Sequence, residues 1–148
     1  MARARKGIGR GVAYKLGRGG FNAKHPNEVG WDKGLSDCSG YVSWVLMLKR
    51  APKLIRPFWI ETTAVWRDAT GKQRTFQQIN KPVPGCIVVF PDRNGREGHI
   101  GIVAEVYGGA GYDVVDCTGK GIREHPGTYF RGRSDTIFCV LKEDMEGE

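Results

Sequence analysis

No stretch of this chain approaches the roughly 20 consecutive apolar residues that a bilayer-spanning helix needs, so no membrane span is expected. No Cys-x-x-Cys pair occurs, and the three histidines, His25, His99 and His125, are scattered. That spacing excludes a structural zinc site, and neither a metal nor any other cofactor is expected. Internal repeats and low-complexity tracts are missing as well. Acidic residues are absent up to Lys24, a segment that carries Arg3, Arg5, Lys6, Arg10, Lys15, Arg18 and Lys24, whereas the far end reads Lys142-Glu143-Asp144-Met145-Glu146-Gly147-Glu148. The surplus of 23 Lys+Arg over 16 Asp+Glu gives a net charge of +7 and draws the chain toward anionic polymers, an attraction that fades with salt. Zinc-finger spacing, an RNP-like segment and a recognition helix with clustered arginines are all lacking, so no specific nucleic-acid partner is expected. The amino end also lacks the apolar core of a secretory signal, because Met1-Ala2-Arg3-Ala4-Arg5-Lys6 runs into glycines and more basic residues. The chain is therefore expected to be made in the cytoplasm.

What is present suffices for one domain, since 40% of the 148 residues are hydrophobic. The expected organisation is a single domain over residues 1–148 with a basic N-terminal arm and a short acidic C-terminal tail. Its most informative stretch is Ser36-Asp37-Cys38-Ser39-Gly40-Tyr41-Val42, where a polar loop runs into the apolar run Tyr41 to Leu48. That run, ended by Lys49-Arg50-Ala51-Pro52, predicts a buried central helix. Ser36 or Asp37 can cap it, which places Cys38 in the first turn, where free N–H groups and the helix dipole favour an anion. A thiolate is the reactive form of cysteine, so Cys38 is read as a nucleophile. The competing reading is a small buried hydrophobe. Against it stand Asp37 and Ser39, costly to bury, and Gly40, which weakens a helix unless something approaches closely. Cys86, Cys117 and Cys139 lie in apolar, β-branched runs and are expected to be buried free thiols.

A nucleophilic cysteine needs a base. His25 and His125 lie in the turn-like segments Lys24-His25-Pro26-Asn27 and Glu124-His125-Pro126-Gly127 and read as surface loop residues. His99 opens the strand-like run Gly98 to Val106 and is the candidate base. After Gly108-Gly109-Ala110-Gly111 comes Tyr112 to Cys117, a natural hairpin partner. If Val106 pairs with Gly111, then Gly101 lies opposite Asp116, one diagonal step from His99 on the same face, and has no side chain to obstruct the contact. Asp116 is thus the candidate for orienting the imidazole, while Asp113 falls out of reach.

Strands are expected at Cys86 to Phe90, His99 to Val106, Tyr112 to Cys117 and Thr136 to Lys142, the first three as a sequential antiparallel meander. Pro52 to Pro57 reads as a loop, and Trp59 to Trp66 as a short helix closed near Thr70-Gly71-Lys72. Residues Thr118 to Arg133 read as a long, basic, glycine-rich connection. Trp31, Trp59 and Trp66 either pack the body or wall a cleft. The fold class is α+β, a central helix carrying the nucleophile packed on an antiparallel sheet of about four to six strands.

The segments Asp37-Cys38-Ser39-Gly40-Tyr41-Val42, Pro84-Gly85-Cys86-Ile87-Val88-Val89-Phe90 and Gly98-His99-Ile100-Gly101-Ile102 together resemble the NlpC/P-sixty family of papain-like cell-wall cysteine peptidases. Tyr14-Lys15-Leu16-Gly17-Arg18-Gly19-Gly20 is similar to that family's tyrosine-glycine-glycine segment. The resemblance implies a papain-like, NlpC-type fold with a Cys38, His99, Asp116 triad, Tyr14 lining the substrate cleft, and Asp37 and Ser39 binding the free amino end of a stem peptide. Helix capping is the alternative role for those two. Two positions depart from the family: Asp116 stands where histidine is usual, and Cys86 where aspartate is usual after Pro-Gly. A carboxylate can still fix the imidazole tautomer.

The activity so implied is hydrolysis of peptidoglycan stem-peptide amides, near the D-glutamyl to diamino-acid bond, through a thioester. The wall would be reached by lysis, a phage particle or a secretion machine, with an immunity, secretion or phage-particle partner left open. A cysteine amidase, deamidase or acyltransferase on another substrate, and a noncatalytic wall-binding or phage structural module, are the alternatives.

Overall fold

The structure is a computed structural model and describes residues 1–50 and 60–142. The Pro52 to Pro57 loop, Trp59 and all of the acidic tail beyond Lys142 lie outside the described residues. The elements run α1 (Ala2–Lys6), β1 (Ala13–Tyr14), β2 (Leu35–Ser36), α2 (Cys38–Leu46), α3 (Thr62–Thr70), β3 (Phe76–Ile79), β4 (Ile87–Phe90), β5 (His99–Val106), β6 (Tyr112–Thr118), β7 (Gly121–Pro126), α4 (Thr128–Arg131) and β8 (Ile137–Leu141). This is an α+β chain with a six-stranded antiparallel sheet in the order β3-β8-β4-β5-β6-β7 and a separate parallel pair, β1 with β2.

Helix α2 forms where the sequence places it. Asp37 is its N-cap, accepting from the Gly40 N–H at 2.7 Å, and Met47 closes it in the left-handed conformation at φ 58°. It packs on β5 and β6, and its Tyr41, Val42 and Trp44 are buried in one core with Ile87, Val89, Ile100, Ile102, Ala104, Val115 and Cys117. Alternation along the strands sends Val88, Phe90, Val103 and Val114 into a second core, with Tyr112 and Phe130. The sheet is thus apolar on both faces, which explains the unbroken hydrophobic runs of β4 and β5.

Two expectations are corrected. The second helix starts at Thr62, capped by Glu61 on the Ala64 N–H at 2.8 Å, and continues to Thr70. The connection from Thr118 to Arg133 is largely regular: β7 pairs antiparallel with β6 and α4 follows. Strand β7 escapes a hydrophobicity reading because Gly-Ile-Arg-Glu-His-Pro buries only Ile122; polar residues and a terminal proline are how an edge strand is protected. The start of the basic arm packs against the rest of the chain. Arg3 donates to the Trp44 carbonyl at 2.8 Å with its guanidinium over the Trp44 ring, and Arg5 pairs with Glu105 and Glu124 at 2.8 Å each.

Candidate active site

Cys38 is the first residue of α2 and is buried, and its Sγ lies 3.6 Å from the Thr62 hydroxyl at the head of α3. It opens onto a cleft of about 300 Å³ lined also by Tyr14, Asp37, Ser39, Arg50 and Glu97. An adjoining cleft of about 320 Å³ is lined by Tyr14, His99, Asp116, Arg123, His125 and Tyr129. Tyr14 therefore lines both clefts. Burial, then the neighbouring Cys38 and Asp37, push the Tyr14 phenol well above its usual range, so it stays protonated and able to donate.

His99 and Asp116 are brought together. Nε2 of His99 lies 2.6 Å from Oδ2 of Asp116, and the ring is stacked on Phe130 at 5.3 Å and edge-on to Tyr129 at 5.7 Å. With Nε2 engaged, Nδ1 is the nitrogen left for Cys38. Burial by itself would lower the imidazole pKa; hydrogen bonds to Asp116 and to Cys38, and the charges of both, outweigh it and push His99 up to about 9. The site sits where the two cores meet, Cys38 belonging to the first and the ring under His99 to the second.

The register that brings Asp116 here holds in its inner half only. Ile102 pairs with Val115, which keeps Gly101 beside Asp116, but a shift beyond Val103 sets Val106 opposite Tyr112 instead of Gly111. Gly101 is required: a Cβ there would lie 2.5 Å from Cγ1 of Val114 and 3.1 Å from Cβ of Asp116.

Asp37 and Ser39 are both bonded to Arg50. The Asp37 carboxylate accepts from Arg50 at 2.7 and 3.1 Å, from the Gly17 N–H at 2.8 Å and from Gly40. Both partners of the ion pair are only 3% exposed at the side chain. Ser39 Oγ accepts from Arg50 at 2.8 Å and donates toward Asp37. Both residues are thus engaged within the protein, and capping, one of the two roles foreseen for them, is the one Asp37 performs. Gly40 is needed for the same assembly, since a Cβ would lie 2.5 Å from the Arg18 carbonyl and 2.8 Å from Arg50.

Three participants were not foreseen. Arg50 looked like part of a helix stop, Thr62 like an ordinary helix residue, and His125 like a loop residue. Instead His125 lies in β7, its Nε2 2.6 Å from Oδ1 of Asp116. The sequence signal was the spacing Asp116-x₈-His125 across a Gly-rich turn, readable only once β7 is recognised as a strand. His25 keeps its loop place, half-exposed beside Glu28. Trp31 and Trp66 donate from Nε1 to the carbonyls of Gly20 and Asp135 at 2.6 and 2.8 Å, and neither is among the residues lining the two clefts. Cys38, Cys86, Cys117 and Cys139 are all buried and free, and burial pushes the Cys86 and Cys117 thiols up to about 11 and about 12. Among the described residues, no group of three or more His, Cys, Asp or Glu is arranged to hold a metal ion.

No curated protein and no solved structure matches the chain. One family model does: the CHAP domain, over residues 25–117, well over half of the chain. The matched span holds Cys38, His99 and Asp116, while Tyr14 and His125 lie outside it.

Proposed function

The chain belongs to the CHAP domain family, and from that premise we propose that it is a cysteine hydrolase that cuts amide bonds in peptidoglycan. Membership points to peptidoglycan hydrolysis by amidase or peptidase chemistry. The single observation that carries the cysteine mechanism is the 2.6 Å contact between His99 Nε2 and Asp116 Oδ2 beside a thiol at the head of α2.

In this reading His99 Nδ1 takes the Cys38 proton, and the thiolate attacks the scissile carbonyl carbon to form a C–S bond. The Cys38 backbone N–H, unpaired within its helix, is the candidate donor to the developing oxyanion. The imidazolium returns its proton to the leaving amine as the C–N bond breaks, leaving a thioester. Water then attacks with His99 as base, releasing the carboxylic acid and restoring the thiol. Asp116 holds Nε2–H throughout, which fixes the tautomer and stabilises the imidazolium. A helix head meeting an antiparallel sheet in this way is compatible with the papain-like arrangement.

The bond implied by the family resemblance is the D-glutamyl to diamino-acid amide of a stem peptide. A second reading, cleavage of the glycan-proximal lactyl amide, is favoured by one observation: Asp37, foreseen as the acceptor of a free peptide amine, is held by Arg50. Digestion of purified sacculi with wild type and Cys38→Ala, with mass spectrometry of the soluble fragments, decides. New amino ends on stem peptides, made by the wild type alone, establish the peptidase; lactyl-amide cleavage establishes the amidase. Release by neither protein refutes the wall hydrolase, and equal release by both refutes Cys38 as nucleophile.

A further inference from the structure

The proposed reaction leaves one buried contact unused, the second imidazole on Asp116. We propose that His125 is a positioning residue of this site: a doubly protonated imidazole clamped between the Asp116 carboxylate and the Pro126 carbonyl, which holds Asp116, and through it His99, in the orientation that faces Cys38. The proposal rests on the reading of Cys38 as nucleophile.

The protonation follows from the partners. Nδ1 of His125 lies 3.0 Å from the Pro126 carbonyl oxygen, which only accepts, so Nδ1 carries a proton. Nε2 lies 2.6 Å from Oδ1 of Asp116. The other oxygen of that carboxylate already accepts from His99. A carboxylate is an acceptor at both oxygens, so Nε2 of His125 carries a proton too. One ring donating from both nitrogens is an imidazolium.

The burial requires such a partner. The Asp116 side chain is 1% exposed, and a carboxylate out of water with one oxygen unpaired is strongly disfavoured. The second donor comes from the β6–β7 hairpin. Val114 pairs with His125, and Asp116 with Arg123; His125 is therefore diagonal to Asp116 on the same face. Its side chain, 23% exposed, lines the 320 Å³ cleft and can exchange protons with solvent.

The charged and titratable groups around this cleft, besides His125, are His99 on β5, Asp116 and Cys117 on β6, Arg123 on β7, Tyr129 on α4, and Glu97 and Tyr14 across it. Of these Asp116 is the one bonded to His125. A cation there opposes a second cation at His99 through the shared carboxylate. Removing it while keeping a donor raises the affinity of His99 for its proton, since like charges disfavour each other.

The test reads Cys38 reactivity directly and turnover of the wall beside it. The rate of Cys38 alkylation by iodoacetamide is followed by mass spectrometry against pH for wild type, His125→Ala and His125→Gln, alongside kcat and KM on sacculi. His125→Ala is expected to lower kcat about 10- to 100-fold, by analogy with the outer partners that orient metal-bound imidazoles, with KM little changed. His125→Gln, which retains a donor, recovers much of that loss, and its alkaline limb moves to higher pH. Nitrogen-15 shifts of His125 in the wild type should be those of an imidazolium at neutral pH. Wild-type rates and pH profiles in both variants, or a neutral His125 ring with a bare Nε2, overturn the proposal. Should His125→Ala fail to fold, the glutamine variant and the wild-type spectrum still decide. Failure of the underlying reading looks different: Cys38→Ala then keeps full activity, or no wall is cut while His125 still governs the alkylation profile.

Discussion

Cys38 lies between two buried carboxylates that are built alike and partnered differently. Asp37 and Asp116 are 2% and 1% exposed. On one side Asp37 takes a bidentate guanidinium, the Gly17 N–H and the N–H of its own helix. Arginine stays charged at any working pH, so this cluster is fixed and anchors the head of α2. On the other side Asp116 takes two imidazoles at 2.6 Å each. An imidazole, unlike a guanidinium, can give up and regain a proton, so a carboxylate held this way can help protons move. The difference teaches that burial and charge alone do not set a carboxylate's part in a site; the titratability of its partners separates the two.

The comparison breaks most visibly at Asp116. Asp116→Asn is expected to cut the hydrolytic rate on sacculi by about 10⁴-fold, as when a triad acid is replaced by its amide, while circular dichroism shows a folded chain. The mirror experiment is Arg50→Ala. It leaves Asp37 buried without its counter-ion and is expected to cost about 3–5 kcal/mol in urea denaturation; Arg50→Lys, which cannot make the bidentate contact, restores only part.

A third test separates the sides by pH. His99 has a folded-state pKa raised from 6.5 to about 9, so the stability from its protonated form is fully present below pH 6.5 and is lost as pH rises through about 9. The stability difference between wild type and His99→Gln should therefore narrow over that window. The difference between wild type and Arg50→Ala should not narrow there through Arg50, whose charge persists. The smallest effect is expected at Ser39. Ser39→Ala removes one contact with Arg50 and is expected to cost about 0.5–1.5 kcal/mol with KM on sacculi unchanged; a raised KM would return Ser39 to substrate binding.

Legibility follows the range of the interaction. The cap at Asp37, the apolar run behind it and the thiol in the first turn are all set between Asp37 and Leu48, and α2 forms there. His99 and Asp116 belong to consecutive strands joined by a short turn, so the hairpin register brings them together, even with the shift at its outer end. Strand β8 inserts between β3 and β4, and no local pattern encodes that order. His125 was hidden because β7 is a polar edge strand without alternation, and Arg50 because it reaches back 13 residues to Asp37.

By itself the sequence determined the cysteine at a helix head, the histidine at a strand mouth and the aspartate one hairpin away. Each rests on capping, periodicity or register, which act between neighbours in the chain. The tertiary structure decided which acid is structural and which one holds the imidazole. That choice depends on the groups that surround a carboxylate once water has been removed, and they come from α2, β7 and the segment around Arg50, brought together by packing.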